Sequence, residues 1–216
     1  MKSHVNIMDS DIAYENVIVY HGSDHILKEP IYQGGKTDND YGNGFYTTEY
    51  KDRAKSWAVL NGDPEYSFVN RYILNTSGLK IMDLNDYGIL AWIAEVIANR
   101  GTSLESAEIT GSRIVEMYRI STADFDIIKG YRADDSYFSY ARDFISGVIS
   151  YEQLGKAMQL GSLGEKYCLK TEKAFQHLKF RAKEHVPSAE WYSKKMLRDR
   201  NARNGYKDME KEDRKS

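Results

Sequence analysis

The sequence contains little cysteine or proline and no long apolar run. One cysteine, Cys168, and three prolines occur among its 216 residues. A single cysteine excludes an intrachain disulfide and a zinc site built on cysteines, and it favours a reducing compartment. The longest apolar run, around residues 89–97, is interrupted by Glu95 and is far shorter than the ~20 residues that span a membrane. The first residues also lack the apolar core of a secretory signal, so we expect a cytoplasmic protein without a membrane segment.

Neither sign of charge dominates the chain. Its 30 basic and 32 acidic residues give a net charge of −2. This balance argues against a globally basic nucleic-acid binder but leaves room for a local patch such as Lys51, Arg53 and Lys55. Hydrophobic residues reach 41%, enough for one compact domain. No set of histidine and carboxylate side chains has metal-ligand spacing, so we predict no metal.

Tyrosine is the unusual component, with 17 residues. Its ring is apolar and its tip is polar, which suits a cleft that binds flat, polar ligands. Half-buried packing at the surface is the expected role for most of the seventeen.

Short β-branched and aromatic runs alternate irregularly with helical patterns. Strands are predicted at residues 17–20, 45–48, 68–74, 79–84, 125–128 and 165–171. Helices are predicted at residues 50–60, 87–99, 106–120, 136–146 and 151–160. A hairpin is expected at residues 76–78, between two of the strands. Because helices do not alternate regularly with strands, we predict an α+β fold rather than a doubly wound α/β sheet.

Three predicted strand ends carry polar side chains. At the first, His21-Gly22-Ser23, the glycine lets backbone amides approach a ligand and the imidazole offers a hydrogen bond. The second, residues 40–48 (DYGNGFYTT), combines a glycine loop with Tyr46 as a stacking platform. The third is Glu165, a carboxylate that opens a strand. The structural alternatives are a turn histidine, a hairpin with a core aromatic residue, and a solvent-facing pair of Glu165 and Lys166.

A further polar cluster comprises Arg132, Asp134 and Asp135. Asp135 either supplies a carboxylate to a site or caps the helix that starts near residue 136, since Asp is a preferred N-cap. Tyr137, on the same turn, either lines the site or packs in the core. Cys168 lies on the strand face opposite Glu165 and is expected to pack rather than to act as a nucleophile.

In this order the motifs resemble the His-Tyr-Glu class of ADP-ribosyltransferases, and more closely a bacterial family of uncharacterised proteins in that superfamily. The similar segments are residues 20–23, 39–48, 53–58, 130–138 and 160–167, so the resemblance covers about residues 17–180. It implies a split mixed β-sheet core of the ADP-ribosyltransferase type within residues 1–186. A helical insertion is expected at about 86–160, and a charged C-terminal helix or tail at 187–216.

The resemblance also implies an activity. Such an enzyme binds NAD between two small sheets, cleaves the nicotinamide–ribose bond and transfers ADP-ribose to a macromolecular acceptor, either protein or nucleic acid. Many relatives are bacterial toxins, some of them neutralised by an antitoxin protein. The NAD-binding residues that we predict from it are His21, Gly22, Ser23, Gly44, Phe45, Tyr46 and Thr47, to which the polar cluster adds Tyr137. The predicted catalytic residues are Glu165, His21 and Tyr46, to which the same cluster adds Asp135. A carboxylate near the ribose would stabilise the positive charge that develops as nicotinamide departs.

The sequence departs from the family pattern at one position. A glutamine or glutamate is expected directly before Tyr167, where this chain has Lys166. Strand alternation places Glu165 on the face of Tyr167 and Leu169, and Lys166 on the opposite face. If the face of Glu165 is inward, its carboxylate reaches the cleft. If Lys166 points inward, its charge repels the developing cation, and a non-catalytic NAD-binding or partner-binding module becomes the alternative. A third reading, an NAD-dependent RNA phosphotransferase, requires several cations that converge on the cleft.

Overall fold

Seven strands and seven α-helices occupy the part of the chain that the computed structural model describes, residues 15–59, 67–101, 108–132, 135–160 and 164–213. The strands are β1 (Asn16–Ser23), β2 (Phe45–Thr47), β3 (Phe68–Asn75), β4 (Ile81–Asp83), β5 (Ile127–Tyr131), β6 (Glu165–Leu169) and β7 (Leu178–His185). The helices are α1 (Lys51–Ala58), α2 (Ile89–Arg100), α3 (Glu108–Tyr118), α4 (Asp135–Ile145), α5 (Tyr151–Ala157), α6 (Glu172–Gln176) and α7 (Ser188–Asp213), with a 3-10 helix at Leu84–Tyr87. This mixture confirms the predicted α+β class.

Two sheets organise the fold. The first has the strand order β1-β3-β7 and the second has the order β2-β6-β5-β4. Neighbouring strands are antiparallel except β4 and β5, which are parallel. The sheets meet at a bridge between Tyr20 and Thr48, whose amides donate to each other's carbonyl oxygens at 2.8 and 3.0 Å. This bridge brings the end of β1 beside the end of β2.

Two apolar cores lie on opposite faces of the second sheet. Residues of a strand point alternately to its two sides, so Ile127 and Leu169 face one way while Ile128 and Cys168 face the other. The first pair packs with Val19 and other side chains of the first sheet. The second pair packs with α2, in which the fully buried Trp92 lies. The nearly continuous apolar pattern of α2 is explained by this burial, and Gly101 follows the helix as its C-cap.

The hairpin predicted at residues 76–78 is wrong. β3 pairs with β1 on one side and β7 on the other, whereas β4 pairs with β5 in the second sheet. Because both edges of β3 are occupied, the turn instead carries the chain from one sheet to the other. A local pattern of strand, turn and strand is the same in both cases and contains no information about the pairing partner.

Other differences concern where strands begin and end. β1 continues through His21-Gly22-Ser23 instead of turning there, since these residues stay in register with β3 as far as Phe68. β5 begins at Ile127, two residues later than predicted. β7 was not predicted, because alternate positions along it carry charged side chains such as Lys179 and Arg181 and leave little apolar signal.

The C-terminal segment is a docked helix. In α7, Ala202 and Tyr206 are buried, the Tyr206 ring stacks on Tyr140 with centroids 4.3 Å apart, and its hydroxyl donates to Asp143 at 2.8 Å. Helices α2 to α5 fall within the predicted insertion, and β5 interrupts them as a strand of the second sheet. No helix among the described residues combines the length and the apolarity needed to cross a membrane.

Candidate functional site: a cleft where the two sheets meet

A cavity of about 480 Å³ opens where the two sheets meet. This volume falls within the ~300–1,000 Å³ typical of small-molecule and cofactor sites. The described residues that line it come from β1, β2, β6, the loop before β2, the position just after β5, and three helices: His21, Gly22, Lys36, Asp38, Asn39, Asp40, Tyr46, Trp57, Arg100, Arg132, Lys166, Lys195 and Asp199. Of the eight residues predicted to bind NAD, His21, Gly22 and Tyr46 are in this lining.

His21 lines the cavity as a neutral imidazole. Its Nδ1–H donates to the carbonyl oxygen of Tyr46 at 2.7 Å, and its ring lies 4.6 Å from that of Phe45. Burial lowers the pKa of His21 to about 4, although the hydrogen bond to Tyr46 opposes this shift. The imidazole is therefore uncharged at neutral pH. With the proton held on Nδ1, the lone pair of Nε2 is left to accept a hydrogen bond from a ligand hydroxyl.

Gly22 is required by the close approach of β1 to α1. A Cβ at this position would lie 1.9 Å from the carbonyl oxygen of Ala54 and 2.7 Å from the amide nitrogen of Ala58. Both atoms belong to the backbone of α1, so no side-chain rotation can relieve the clash. Glycine thus allows the helix to lie directly on the strand, which positions Trp57 of α1 at the cavity.

Two half-buried aromatic rings line the cavity. The Tyr46 hydroxyl donates to the carbonyl oxygen of Gly42 at 2.6 Å and accepts from the amide of Tyr41 at 3.0 Å, so the ring is fixed by the loop that precedes it. The Trp57 ring lies 5.3 Å from the guanidinium carbon of Arg132, a cation–π distance. Each ring provides an apolar surface on which a flat ligand could stack.

A buried ion pair forms part of the cavity wall. The Asp40 side chain is 5% exposed, and its Oδ1 accepts from Nη1 of Arg100 at 2.9 Å. Its Oδ2 contacts Nζ of Lys166, whose side chain is 8% exposed. The same Nζ lies 4.9 Å from the centroid of the Tyr46 ring. Burial lowers the pKa of Lys166, and the charge of Asp40 acts in the opposite direction.

The cavity is rich in cations. Five of its described residues are basic and three are acidic, and His21 is neutral, which leaves an excess of two positive charges. Lys166 and Arg100 are engaged by Asp40, whereas Lys195 enters from α7 and Lys36 from the exposed loop. A cleft with this charge suits an anionic ligand such as a diphosphate.

Four residues predicted to bind NAD lie outside the lining. Phe45 is 8% exposed and packs in the core between the sheets, and Thr47 is fully buried. Gly44 lies against β6, where a Cβ would be 2.4 Å from Sγ of Cys168. Ser23 donates to the carbonyl oxygen of His25 at 2.6 Å and accepts from Asn70 at 3.0 Å. These residues shape the strands and loop that carry the cavity residues.

Glu165 does not line the cavity. The alternation predicted for β6 holds, and the residue turned towards the cavity is Lys166. The carboxylate of Glu165 lies on the opposite face, where Oε2 is 3.0 Å from Nζ of Lys129 and Oε1 accepts from Asn85 at 2.7 Å. Its face of β6 also carries Tyr167 and Leu169, which pack towards the first sheet.

The remaining predictions concern Asp135 and Tyr137, the single cysteine, and the local basic patch. α4 begins at Asp135, one residue earlier than predicted, and the side chains of Asp135 and Tyr137 lie outside the described residues. Cys168 is fully buried, and burial raises its pKa to about 11, as expected of a packed thiol. In the suggested basic patch, Lys51 and Lys55 both pair with Glu184.

Sequence reasoning missed most of the charged lining. Asp40 occurs within the glycine loop that was singled out, but its partners Arg100 and Lys166 lie 60 and 126 residues further along the chain. Lys195 and Asp199 come from the segment expected to be a charged C-terminal helix or tail. Two of the basic lining residues did give a signal: Lys166 as the departure from the family pattern, and Arg132 as a member of a polar cluster.

Fold and cavity together define a two-sheet α+β protein with a polar, cation-rich cleft. The chain belongs to the DUF3990 family, described as proteins of unknown function, whose family model matches residues 17–180, about three quarters of the sequence. Comparisons with curated proteins and with solved structures gave no match. α7, which contributes Lys195 and Asp199 to the cavity, follows the matched segment.

Proposed function

We propose that this protein is an NAD-dependent ADP-ribosyltransferase whose substrate binds in the cleft between the sheets. The observation that carries the proposal is that His21 and Gly22 from one motif and Tyr46 from another, all predicted as NAD-binding residues, line one cavity together. Its volume of about 480 Å³ and its excess of positive charge suit a dinucleotide with a diphosphate bridge. The macromolecular acceptor and the neutralising antitoxin stay predictions that rest on the resemblance.

Different lining residues bind different parts of NAD. The Nε2 atom of His21 accepts a hydrogen bond from a ribose hydroxyl, while the Tyr46 ring stacks on nicotinamide. Arg132 and Lys195 attract the diphosphate. These contacts hold the substrate in a reactive pose and thereby reduce the entropy that the reaction must lose.

Asp40 is the carboxylate best placed for the chemistry. Departure of nicotinamide leaves positive charge on the ribose, and a carboxylate fixed in a water-poor cleft stabilises that charge. Asp40 lines the cavity, whereas Glu165 is held on the other face of β6 by Lys129 and Asn85. We therefore propose Asp40 for the role that the resemblance gives to Glu165.

A second candidate function is a module that binds NAD without cleaving it. The specific observation in its favour is the inward position of Lys166, because a protonated amine beside the ribose opposes development of positive charge there. The cations that a phosphotransferase would need are also present, but the diphosphate of NAD uses the same groups, so charge alone does not favour that activity over ADP-ribose transfer.

Release of nicotinamide from NAD by the full-length protein, followed by chromatography with and without bacterial lysate, tests the proposal. We expect release by the wild type and its near loss in Asp40→Asn. Glu152→Gln serves as a matched control, since this exposed carboxylate pairs only with Lys156 four residues on, among the described contacts. Thermal melting of each variant checks that it folds.

The other outcomes separate the candidates. Release that depends on Glu165, tested with Glu165→Gln, would return the catalytic role to the carboxylate predicted from the sequence. NAD binding by calorimetry without any release would support the binding module. Absence of both binding and release would overturn the NAD proposal as a whole. Labelled NAD in lysate would identify the acceptor.

A further inference from the structure

We propose that Lys166 is the nucleophile of the cleavage step, and that its Nζ bonds covalently to C1 of the nicotinamide ribose. This inference rests on the proposed function, because NAD is the substrate that it requires. Lys166 is the residue that departs from the family pattern. Under this proposal its amine forms a bond to the ribose instead of only repelling the positive charge that develops there.

The position of Lys166 supports this role. Its side chain reaches the cavity from β6, on the face opposite Glu165, and its Nζ lies 4.9 Å from the centroid of the Tyr46 ring. Tyr46 is the ring to which the proposed function assigns nicotinamide. The amine is thus next to the place where the bond between nicotinamide and ribose would lie.

Burial makes the Lys166 ammonium easier to deprotonate, although the charge of Asp40 opposes this lowering of its pKa. A lysine becomes nucleophilic when it loses its proton, which desolvation promotes. Only 8% of its side chain is exposed, it lies beside the rings of Tyr41 and Tyr46, and burial lowers its pKa. Asp40 contacts Nζ directly and can accept the proton. Arg100 holds the other oxygen of Asp40 at 2.9 Å, which fixes the carboxylate in place.

The covalent step balances without any added reagent. In this step Asp40 acts as a base, which replaces the charge-stabilising role assigned to it above: it takes one proton from the Lys166 ammonium, and the free amine attacks C1 of the ribose. The bond from C1 to the pyridinium nitrogen breaks, its electron pair stays on that nitrogen, and nicotinamide leaves as a neutral molecule. The positive charge of the pyridinium is now on the lysine nitrogen.

Ring opening and hydrolysis complete the cycle. Asp40 passes its proton to the ribose ring oxygen and then receives a proton from the lysine nitrogen. The lone pair freed on that nitrogen breaks the bond between C1 and the ring oxygen, which gives an iminium between Nζ and C1. When no acceptor is present, water adds to C1 and frees ADP-ribose as its aldehyde, and Lys166 returns as an ammonium. Asp40 finally loses its proton to solvent, which accounts for the proton released when water cleaves NAD.

Reductive trapping tests the proposal on the wild-type protein. Full-length protein is incubated with NAD and sodium cyanoborohydride, which converts an iminium to a stable amine, and the adduct is located by peptide mass spectrometry. We expect an ADP-ribose adduct at Lys166, at least tenfold above the level at the exposed Lys179, which reports background reaction with free ADP-ribose. Lys166→Arg keeps a cation beside Asp40 but should lose on the order of a hundredfold or more of the nicotinamide release. Lys179→Arg should release nicotinamide at the wild-type rate.

Failure of this inference is distinguishable from failure of the proposed function. Nicotinamide release by the wild type without an adduct at Lys166 overturns the nucleophile and leaves the transferase proposal standing. The same conclusion follows if folded Lys166→Arg keeps more than half of the wild-type rate. Absence of release by the wild type overturns both.

Discussion

Replacing Gly22 with alanine should destabilise the protein and weaken ligand binding together. The added Cβ would lie 1.9 Å from the carbonyl oxygen of Ala54, and real Cβ atoms essentially never approach another atom within 3.0 Å. Because this oxygen and the amide of Ala58 are both backbone atoms of α1, the helix has to move away from β1 by about 1 Å as a unit.

The size of the effect follows from that displacement. Overpacking a tight site costs about 1–3 kcal/mol, and a clash with helix backbone belongs at the upper end. A loss of about 3 kcal/mol corresponds to a fall in Tm of roughly 6–12 °C for a chain of this length. Trp57 moves with α1, so we expect affinity for the proposed ligand, NAD, to fall by about tenfold, or ~1.4 kcal/mol.

A glycine-to-alanine substitution in α5 should have the opposite effect on stability. Gly155 lies in α5, and a Cβ there meets no atom within 4 Å outside its own helix. Gly155→Ala should therefore stabilise the protein by about 0.5–1 kcal/mol through helix propensity. Urea unfolding and scanning calorimetry of both variants measure the two effects. A Gly22→Ala protein that melts within about 1 °C of the wild type would refute the close-approach argument.

Three further predictions concern single side chains. As pH falls from 6.5 towards 4, an unfolded histidine binds a proton that folded His21 resists, so the wild type should lose up to about 3 kcal/mol of stability over this window. His21→Gln should lose less, and urea midpoints that fall in parallel for both proteins would disprove this. Tyr206→Ala removes the ring stacked on Tyr140 and should cost about 3–5 kcal/mol in urea unfolding; a cost below about 1 kcal/mol would mean that α7 is not docked through Tyr206. Tyr46→Phe loses the hydroxyl bonds to the loop and should cost about 1–3 kcal/mol while it keeps the stacking ring, so an unchanged urea midpoint would contradict those bonds.

Elements whose signal is local could be predicted from the sequence. The β-branched run at β1, the apolar pattern of α2 and the alternation of β6 each depend only on neighbouring residues, and each is present. The pairing of β4 with β5 and the existence of β7 could not be predicted in this way. Pairing is decided by distant strands, and β7 is an edge strand whose charged face hides its apolar one.

In the candidate site, too, residues in local motifs could be predicted, whereas residues brought together by tertiary packing could not. His21 and Tyr46 were predicted because each lies in a short motif at a strand end. The wall formed by Asp40, Arg100 and Lys166 was not, since its three side chains meet only after α2 and β6 have packed on either side of the loop. Alternation correctly separated Glu165 from Lys166, but which face of β6 borders the cavity depends on where α1 and the loop lie.

The docking of α7 beside the cleft has a consequence for how such a pocket can diverge. His21, Gly22, Tyr46 and Lys166 lie within residues 17–180, the segment shared with the family, whereas Lys195 and Asp199 follow it. Most of the described lining therefore lies in the segment that the family model matches, while α7 adds one positive and one negative side chain from outside it. A relative with the same strands but a different C-terminal helix would keep these four residues and change the charge that the helix contributes to the cavity.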